Sequence, residues 1–323
     1  MNQRPRRHPR AAGTVLALLL AAAAAAAGRG AVAAPPQLET RTEAPASAAA
    51  WLDALAEEFW QRQLEEVPGL RIKEGLPVTR LPDLSYEHAV EAAELAQGLL
   101  ERLAAIDPEA FDRTGDHERW LSYRMLQWQA HLAVDWVPYF WHGFQVTPYG
   151  GAFSGLAQIF SAAPVGTPAE RTAYLDLLGQ LPRLAGQLRA NLLIQRERGI
   201  LLPALEIPLV EGLFAPLAAA PEGHPFRVAP ERLAGVEPAA GEAFAARVDE
   251  RLAAEVAPAF AALLAVFDDR YREIAPTAVG LGQYPGGPEA YRFLVRVYTT
   301  LDDLTPEEIH RRGLAEVARI EAE

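Results

Sequence analysis

The chain has 323 residues, 50% of them hydrophobic, so it can bury a large core as one large domain or two small ones. Its formal charge of −12 argues against nucleic acid as a partner, because binding a phosphate backbone needs a basic footprint. With no cysteine, disulfides, thiolate zinc sites, cysteine nucleophiles and a cysteine-linked lipid anchor are all excluded, and a metal site would have to use His, Asp and Glu.

The N-terminus has the layout of a secretory signal. Arg4 to Arg10 form a basic region, Val15 to Ala27 an apolar run, and Ala31-Val32-Ala33 a small-x-small cleavage site before Ala34. Residues 1–33 are therefore expected to be a signal peptide and the mature protein to be exported, periplasmic or extracellular. The other reading is an uncleaved anchor, but a spanning helix needs about 20 apolar residues and this run is short and mostly alanine. No stable membrane span is expected after cleavage. The pair Arg6-Arg7 hints at twin-arginine export.

Residues 34–46 are polar and Pro-containing, a flexible lead-in. Ser47 then caps a helix to about Val67, with Leu52, Leu55, Phe59 and Leu64 on one face, ended by Pro68-Gly69. Gly75 to Pro82 reads as a loop. A second helix runs from about Ser85 to Ile106 with Val90, Leu99, Leu103 and Ile106 inward, closed by Asp107-Pro108. The third, from about Asp116 to Asp135, is rich in aromatics. Trp120, Tyr123, Trp128 and Trp136 are followed past Pro138 by Tyr139, Phe140, Trp141 and Phe144. Aromatic rings carry the largest burial payload, so core is favoured over an exposed binding wall.

In Gln145 to Phe160 the residues Pro148, Gly150, Gly151 and Gly155 interrupt the helical pattern. Glycine permits positive φ or close backbone approach. Tyr149, Gly150 and Gly151 thus either line a cleft or make a plain tight turn. No Lys-Ser/Thr follows, so this is not a phosphate loop.

Thr167-Pro168-Ala169-Glu170 is a capping box opening a helix to about Leu181. Pro182 starts or kinks a second segment ending at Gly199, with Leu184, Leu188, Leu192 and Gln195 on one side. Ile200 to Pro208 is too interrupted by proline for a central strand, and Ala219 to Pro238 reads as a loop. A helical pair follows, Glu242 to Ala257 and Pro258 to Ile274, with Phe260, Leu263, Leu264, Phe267 and Tyr271 inward. After a turn at Gly280 to Gly287, Thr305, Pro306 and Glu308 form a second capping box. Ile309, Gly313, Val317 and Ile320 then mark one narrow face of a helix that meets no Gly, Asn or Pro stop before Glu323. That helix is expected to expose its apolar stripe, and the chain to be the first part of a longer one. No hairpin signature and no fixed-period repeat appears. The predicted architecture is all-α: a multi-helix array with proline-kinked helices and irregular Pro/Gly loops, without a substantial sheet.

No complete catalytic constellation is present. The nearest approach to a His-Glu-x-x-His zinc helix is His117-Glu118-Arg119-Trp120-Leu121, where leucine offers no lone pair to a metal. Asp302, Asp303, Glu307 and Glu308 gather near His310, but acids at a helix start are accounted for by the macrodipole. Ser154, within Gly151-Ala152-Phe153-Ser154-Gly155, does not match a nucleophile elbow.

The stretch EAYRFLVRVYTT, followed by LTPEEIHRRGLAEVARIEAE, resembles the middle segment of a bacterial family known as domain of unknown function 885. The resemblance extends in weaker form to TPYGGAFSGLAQIF, to YLDLLGQLPRLAGQLRANLLIQRERGILLP and to PAFAALLAVFDDRYREIAPTAVGLGQYPGG. Members of the family are longer, mostly helical, and similar to gluzincin-type zinc metallopeptidases, with a His-Glu-x-x-Pro-Gly-His-His motif in their later half. Zinc there activates water and the motif glutamate takes its proton. That motif does not occur in these residues, so no zinc ligand carries over, and zinc is expected only with a C-terminal half present. Where the family has an aromatic-His-Thr-Thr run, this chain has Val297-Tyr298-Thr299-Thr300. The resemblance therefore implies that residues 47–323 are the helical N-terminal part of a metallopeptidase-like domain acting, at full length, on a peptide or small amide. Tyr298, Thr299 and Thr300 join Tyr149, Gly150 and Gly151 as candidate cleft residues, and no residue of this chain is assigned to catalysis. The alternative is a non-catalytic exported helical protein that binds a peptide or ligand.

Overall fold

Helix starts are where local sequence and structure agree most closely. A computed structural model describes residues 47–149 and 151–323; the signal segment 1–33, the lead-in 34–46 and Gly150 lie outside the described residues. Ser47 Oγ accepts from the Ala50 amide and opens α1 (Ala48–Glu66). Ser85 Oγ accepts from His88 and opens α3 (Tyr86–Leu103), and the Asp116 carboxylate accepts from Arg119 and opens α5 (His117–Trp136). Both capping boxes form with both of their hydrogen bonds, Thr167 with Glu170 before α7 (Pro168–Leu178) and Thr305 with Glu308 before α14 (Pro306–Ala322). Each such cap satisfies amides that the first helical turn leaves without partners.

Several boundaries differ from the sequence reading, and prolines account for most of them. Pro68 ends α1 and also starts α2 (Pro68–Lys73), and Pro108 stands at the head of α4 (Glu109–Thr114). Proline lacks the amide that a first turn leaves unused, so one residue stops a helix and seeds the next. The second helix accordingly ends at Leu103 rather than at Ile106. Residues expected to break the pattern around Gly155 instead form α6 (Gly151–Ala162), which runs through that glycine. After α8 (Leu181–Glu197), an unforeseen helix α9 (Ile207–Phe214) carries Pro208 in its first turn. The segment expected to run unbroken from Pro258 to Ile274 divides into α11 (Ala257–Leu264) and α12 (Asp269–Ile274), because Asp268 accepts from the Tyr271 amide and caps a new start. Between α10 (Pro238–Arg251) and α11 lies one π turn, Leu252–Val256, where the Ala257 amide bonds Leu252 O. Pro258 follows directly, and its ring cannot fit a regular turn below it. α13 (Gly287–Thr299) leads into α14.

The described residues contain no strand, and the architecture is an all-α array. The largest core is built around α8, whose Leu181, Leu184, Ala185 and Leu188 are completely buried, with Phe214, Val248, Phe260 and Tyr271 contributed by α9 to α12. A second core joins α1, α3, α4 and α5 through Leu52, Leu55, Leu103, Phe111 and Tyr123. A third, smaller cluster of Phe140, Trp141, Ile200 and Tyr284 adjoins the largest core through Phe144, which packs against both.

Amides on α8 and at its N-cap, Gln180, hold the loop that links these cores. Gln180 Oε1 accepts from Leu81 N at 2.8 Å, Asn191 Nδ2 donates to Leu84 O at 2.7 Å, and Gln195 Nε2 donates to Trp141 O at 2.8 Å. Residues 74–85, without regular structure of their own, are thus fixed against α8, and they form one edge of the cleft described next.

Candidate functional site

A cleft of about 760 Å³ opens between α1, α3, the end of α5, residues 137–149 and α13. Its walls are apolar. α1 supplies Leu55 and Phe59, α3 supplies Leu95 and Leu99, and α5 and the turn after it supply Trp136 and Tyr139. α13 faces them with Phe293, Val297 and Tyr298. The aromatic cluster read from the sequence therefore divides: Phe140 and Trp141 are core, whereas Trp136, Tyr139 and Phe144 are half-buried and form wall. Tyr139 stacks on Phe293 with ring centroids 5.0 Å apart, which ties the two sides of the cleft together.

Two glycines make this geometry possible. A Cβ on Gly143 would lie 2.9 Å from the Trp136 ring, so only glycine lets the chain pass beneath that indole. Gly151 has φ +61°, and a Cβ there would lie 2.5 Å from Gln145 O. It therefore serves both purposes, positive φ and close backbone approach.

Two of the carboxylates that line the cleft are engaged by the protein's own groups. Glu58 accepts two hydrogen bonds from Arg102, at 2.8 and 2.7 Å, and these hold its carboxyl below the usual range despite opposing burial. Asp83 accepts from Ser85 Oγ at 2.6 Å, from Gln187 Nε2 at 2.7 Å and from Arg183 at 2.6 Å. Burial pushes its carboxyl up, but the bonds from Ser85 and Arg183 outweigh that and leave it lowered. Two buried side-chain atoms of residues in the lining have no partner. Gln63, only 8% exposed, has its Oε1 buried without a partner. His142 Nε2 lies 2.8 Å from Pro285 O and donates to that carbonyl, and its Nδ1 is also buried without a partner.

Of the residues singled out from sequence, Tyr149, Gly151 and Tyr298 line this one cleft, although α13 lies far along the chain from the Tyr149 turn. Tyr149 and Tyr298 are 62% and 55% exposed, open to an incoming ligand. Gly150 lies outside the described residues. Thr299 and Thr300 are not in the lining; they end α13. Thr299 Oγ1 donates to Val295 O at 2.7 Å, and Thr300 takes up left-handed φ +59° as the C-cap. That conformation is uncommon for a β-branched residue and terminates the helix. Gln63 and His142 were missed. Gln63 continues the Leu52, Leu55, Phe59 spacing of an apolar face, so a polar residue at a core position was the available signal.

The other chemical candidates are accounted for locally. His117 is exposed and stacks on Trp120 at 5.4 Å. Glu308 serves the capping box, which lowers its carboxyl through the bonds from Thr305, and Asp302 lies 3.9 Å from Arg296. Among the described residues no three His, Asp or Glu side chains are grouped to hold a metal, so they do not fit a zinc ion. No described helix is long and apolar enough to cross a membrane.

Comparison with known proteins agrees with the all-α reading. The family model described as bacterial protein of unknown function (DUF885) matches residues 68–323. No curated protein matches the chain. Among solved structures, a protein from Colwellia psychrerythraea, to which the name lipoprotein has been assigned, superposes with a TM-score of 0.70 at 19% identity. The match covers 85% of this chain and 50% of that one, so this chain spans about half the length of its structural relative. At that identity the likeness is one of fold.

Proposed function

The chain belongs to the DUF885 family of bacterial proteins, and on that premise we propose that it is the N-terminal helical part of an exported hydrolase resembling zinc peptidases. In this reading it supplies scaffold and one wall of a substrate cleft, and the zinc-binding residues lie elsewhere. The observation that carries the proposal is the apolar cleft of about 760 Å³, a size typical of small-molecule sites, built from parts of the chain far apart in sequence. The half-length match to the structural relative supports it, as does α14, whose Leu314, Val317 and Ile320 are more than half exposed. Zinc, where a full-length relative holds it, would activate water. These residues instead orient a peptide or small amide against Trp136, Tyr139 and Phe293 and exclude water from it. The signal-like layout of residues 1–33 supports export.

A second reading, a non-catalytic exported binding protein, is favoured by one feature: the described residues supply facing walls of the cleft, from α1 and α3 on one side and α13 on the other. The reading frame beyond codon 323 decides between the two. Continuation into a His-Glu-x-x-x-x-His-His type motif is the expected result, and a stop codon directly after Glu323 in a native genome overturns the hydrolase reading. The purified chain alone is expected to hold no stoichiometric zinc; metal analysis finding one tightly bound zinc per chain would contradict the division of labour proposed here.

A further inference from the structure

Residues 220–236 pack on the main core through Phe226 and Val228 with only two short 3-10 turns, Pro221–Gly223 and Pro230–Leu233, as regular structure. Among the described residues, their backbone–backbone hydrogen bonds all close within the segment itself. Side chains therefore tether it. Phe226 stacks on Phe160 of α6 with ring centroids 4.3 Å apart, and Tyr174 of α7 donates to Phe226 O at 2.7 Å. Arg232 donates to Phe160 O and Ala163 O, carbonyls that the end of α6 leaves open. Arg227 pairs with Asp249 of α10 at 2.9 Å. α6 begins at Gly151 in the cleft lining, so the segment clamps the far end of a helix that borders the cleft.

One further tether is titratable. His224 is 4% exposed, and both of its ring nitrogens are used. The Phe226 amide donates to Nδ1 at 3.1 Å, and since an amide only donates, Nδ1 is the bare nitrogen of a neutral ring. The proton stands on Nε2 and donates to Leu217 O at 3.2 Å. A second proton has one place to go, Nδ1, where it displaces the Phe226 amide and buries a charge. No counter-charge waits for it. The 3-10 turn Ala215–Ala218, α11 packed on it, and α6 hold no ionisable residue. Glu211 of α9 is bound to Arg272, Tyr174 is committed to Phe226 O, and Asp249 to Arg227, on which Glu222 also acts. On α10, Glu242, Arg247 and Glu250 are exposed, and Arg251 lies against Gly179. Burial accordingly lowers the proton affinity of the ring, against a smaller raising effect of the Leu217 bond.

We propose that His224 is an acid-released latch: its neutral ring ties residues 220–236 to the core, and its protonation frees that segment together with the C-terminal turn of α6. The inference goes beyond the reading of the cleft and stands without it. Because the folded ring favours the neutral form, its contribution is complete above the ordinary imidazole value of about 6.5 and is lost as pH falls through the folded value.

Hydrogen exchange on the full chain at about pH 7.5 and about pH 5, read by mass spectrometry and corrected for the intrinsic pH dependence of exchange, tests this. Protection of peptides from 220–236 and from the end of α6 is expected to fall at the lower pH by at least about threefold. The ceiling is about 30-fold, set by an imidazole titrated about 1.5 units below its ordinary value, and peptides from α8 should keep their protection. His224→Gln, whose amide offers a donor and an acceptor but does not titrate, should remove the pH dependence, whether or not its segment is looser at both pH values. Unchanged protection of 220–236 in the wild-type chain overturns the latch. So does a loss shared equally by α8, which marks global acid unfolding. A loss of the same size in His224→Gln overturns it too, by assigning the titration to other groups.

Discussion

α8 and α14 are both 17 residues long, and their sequences suggest the opposite of what the structure does with them. α14 has a complete capping box, proline in its first turn and a clean division of polar from apolar residues. α8 opens without a side-chain cap and carries Gln187, Asn191 and Gln195 among its leucines. Yet α8 is the centre of the main core, with four residues at zero exposure, while none of the α14 residues is buried. Amphipathic periodicity reports that a helix forms and which face seeks a partner. It does not report whether the partner is there. The amides that blur the α8 pattern are explained by tertiary contacts, since they bond backbone atoms of the 81–84 loop and of Trp141.

The contrast can be broken first at its buried end. Leu184→Ala removes a side chain with no exposure and should cost about 2–5 kcal/mol, the range for leucine truncation in a closed core. Urea denaturation would show it as a lower midpoint with an unchanged slope. A loss below about 1 kcal/mol would mean that α8 is not the centre of packing.

Asp83 joins the loop to α8 and sharpens the comparison at intermediate size. Asp83→Asn takes the ionic partner from Arg183 and should cost about 1–3 kcal/mol at neutral pH. The pH dependence follows from the lowered carboxyl. A group that stays charged more readily when folded contributes stability fully above its unfolded pKa, about 3.9 for aspartate, and loses it as pH falls through the folded value. The wild-type chain should therefore lose stability on acidification below about pH 4, and the Asn variant should lose less over that interval. Parallel acid profiles for the two proteins would contradict the assignment.

The smallest effect belongs to α14. Val317→Glu should change monomer stability by no more than about 0.5 kcal/mol, since the residue is 53% exposed. It should nonetheless reduce self-association in sedimentation, because a charge interrupts the apolar stripe. Destabilisation above about 1 kcal/mol would show that this face is covered in solution.

Much of the helical layout was readable because its signals are local. Ser47, Thr167 and Thr305 cap the helices they were expected to cap, and Ser85 and Asp116, expected only as approximate helix starts, prove to be caps too, all acting within three residues of themselves. Pro68, Pro108 and Pro208 were harder, because a proline read as a stop is equally suited to a first turn. α6 was missed since packing, not propensity, carries it through Gly155, and α9 because Pro208 read as a break although it suits the first turn it occupies. The cleft was legible in part. Gly151 stood out for a backbone reason that the structure bears out, and Tyr149 and Tyr298 came from the same two stretches that converge on it. Thr299 and Thr300, singled out through the family resemblance, lie outside the lining and end α13 instead. Gln63 and His142 could not be ranked, since being unsatisfied is a property of surroundings.

The sequence by itself determined that this chain is helical, where most helices begin, and which stripes are apolar, because capping and periodicity act over a few residues. Only the tertiary structure decided which stripe would be covered, which aromatics would be wall rather than core, and that two residues with buried, unpartnered atoms would line one apolar cleft. Those outcomes depend on contacts between residues such as His142 and Pro285, 143 positions apart, and burial is settled by what arrives from elsewhere in the chain.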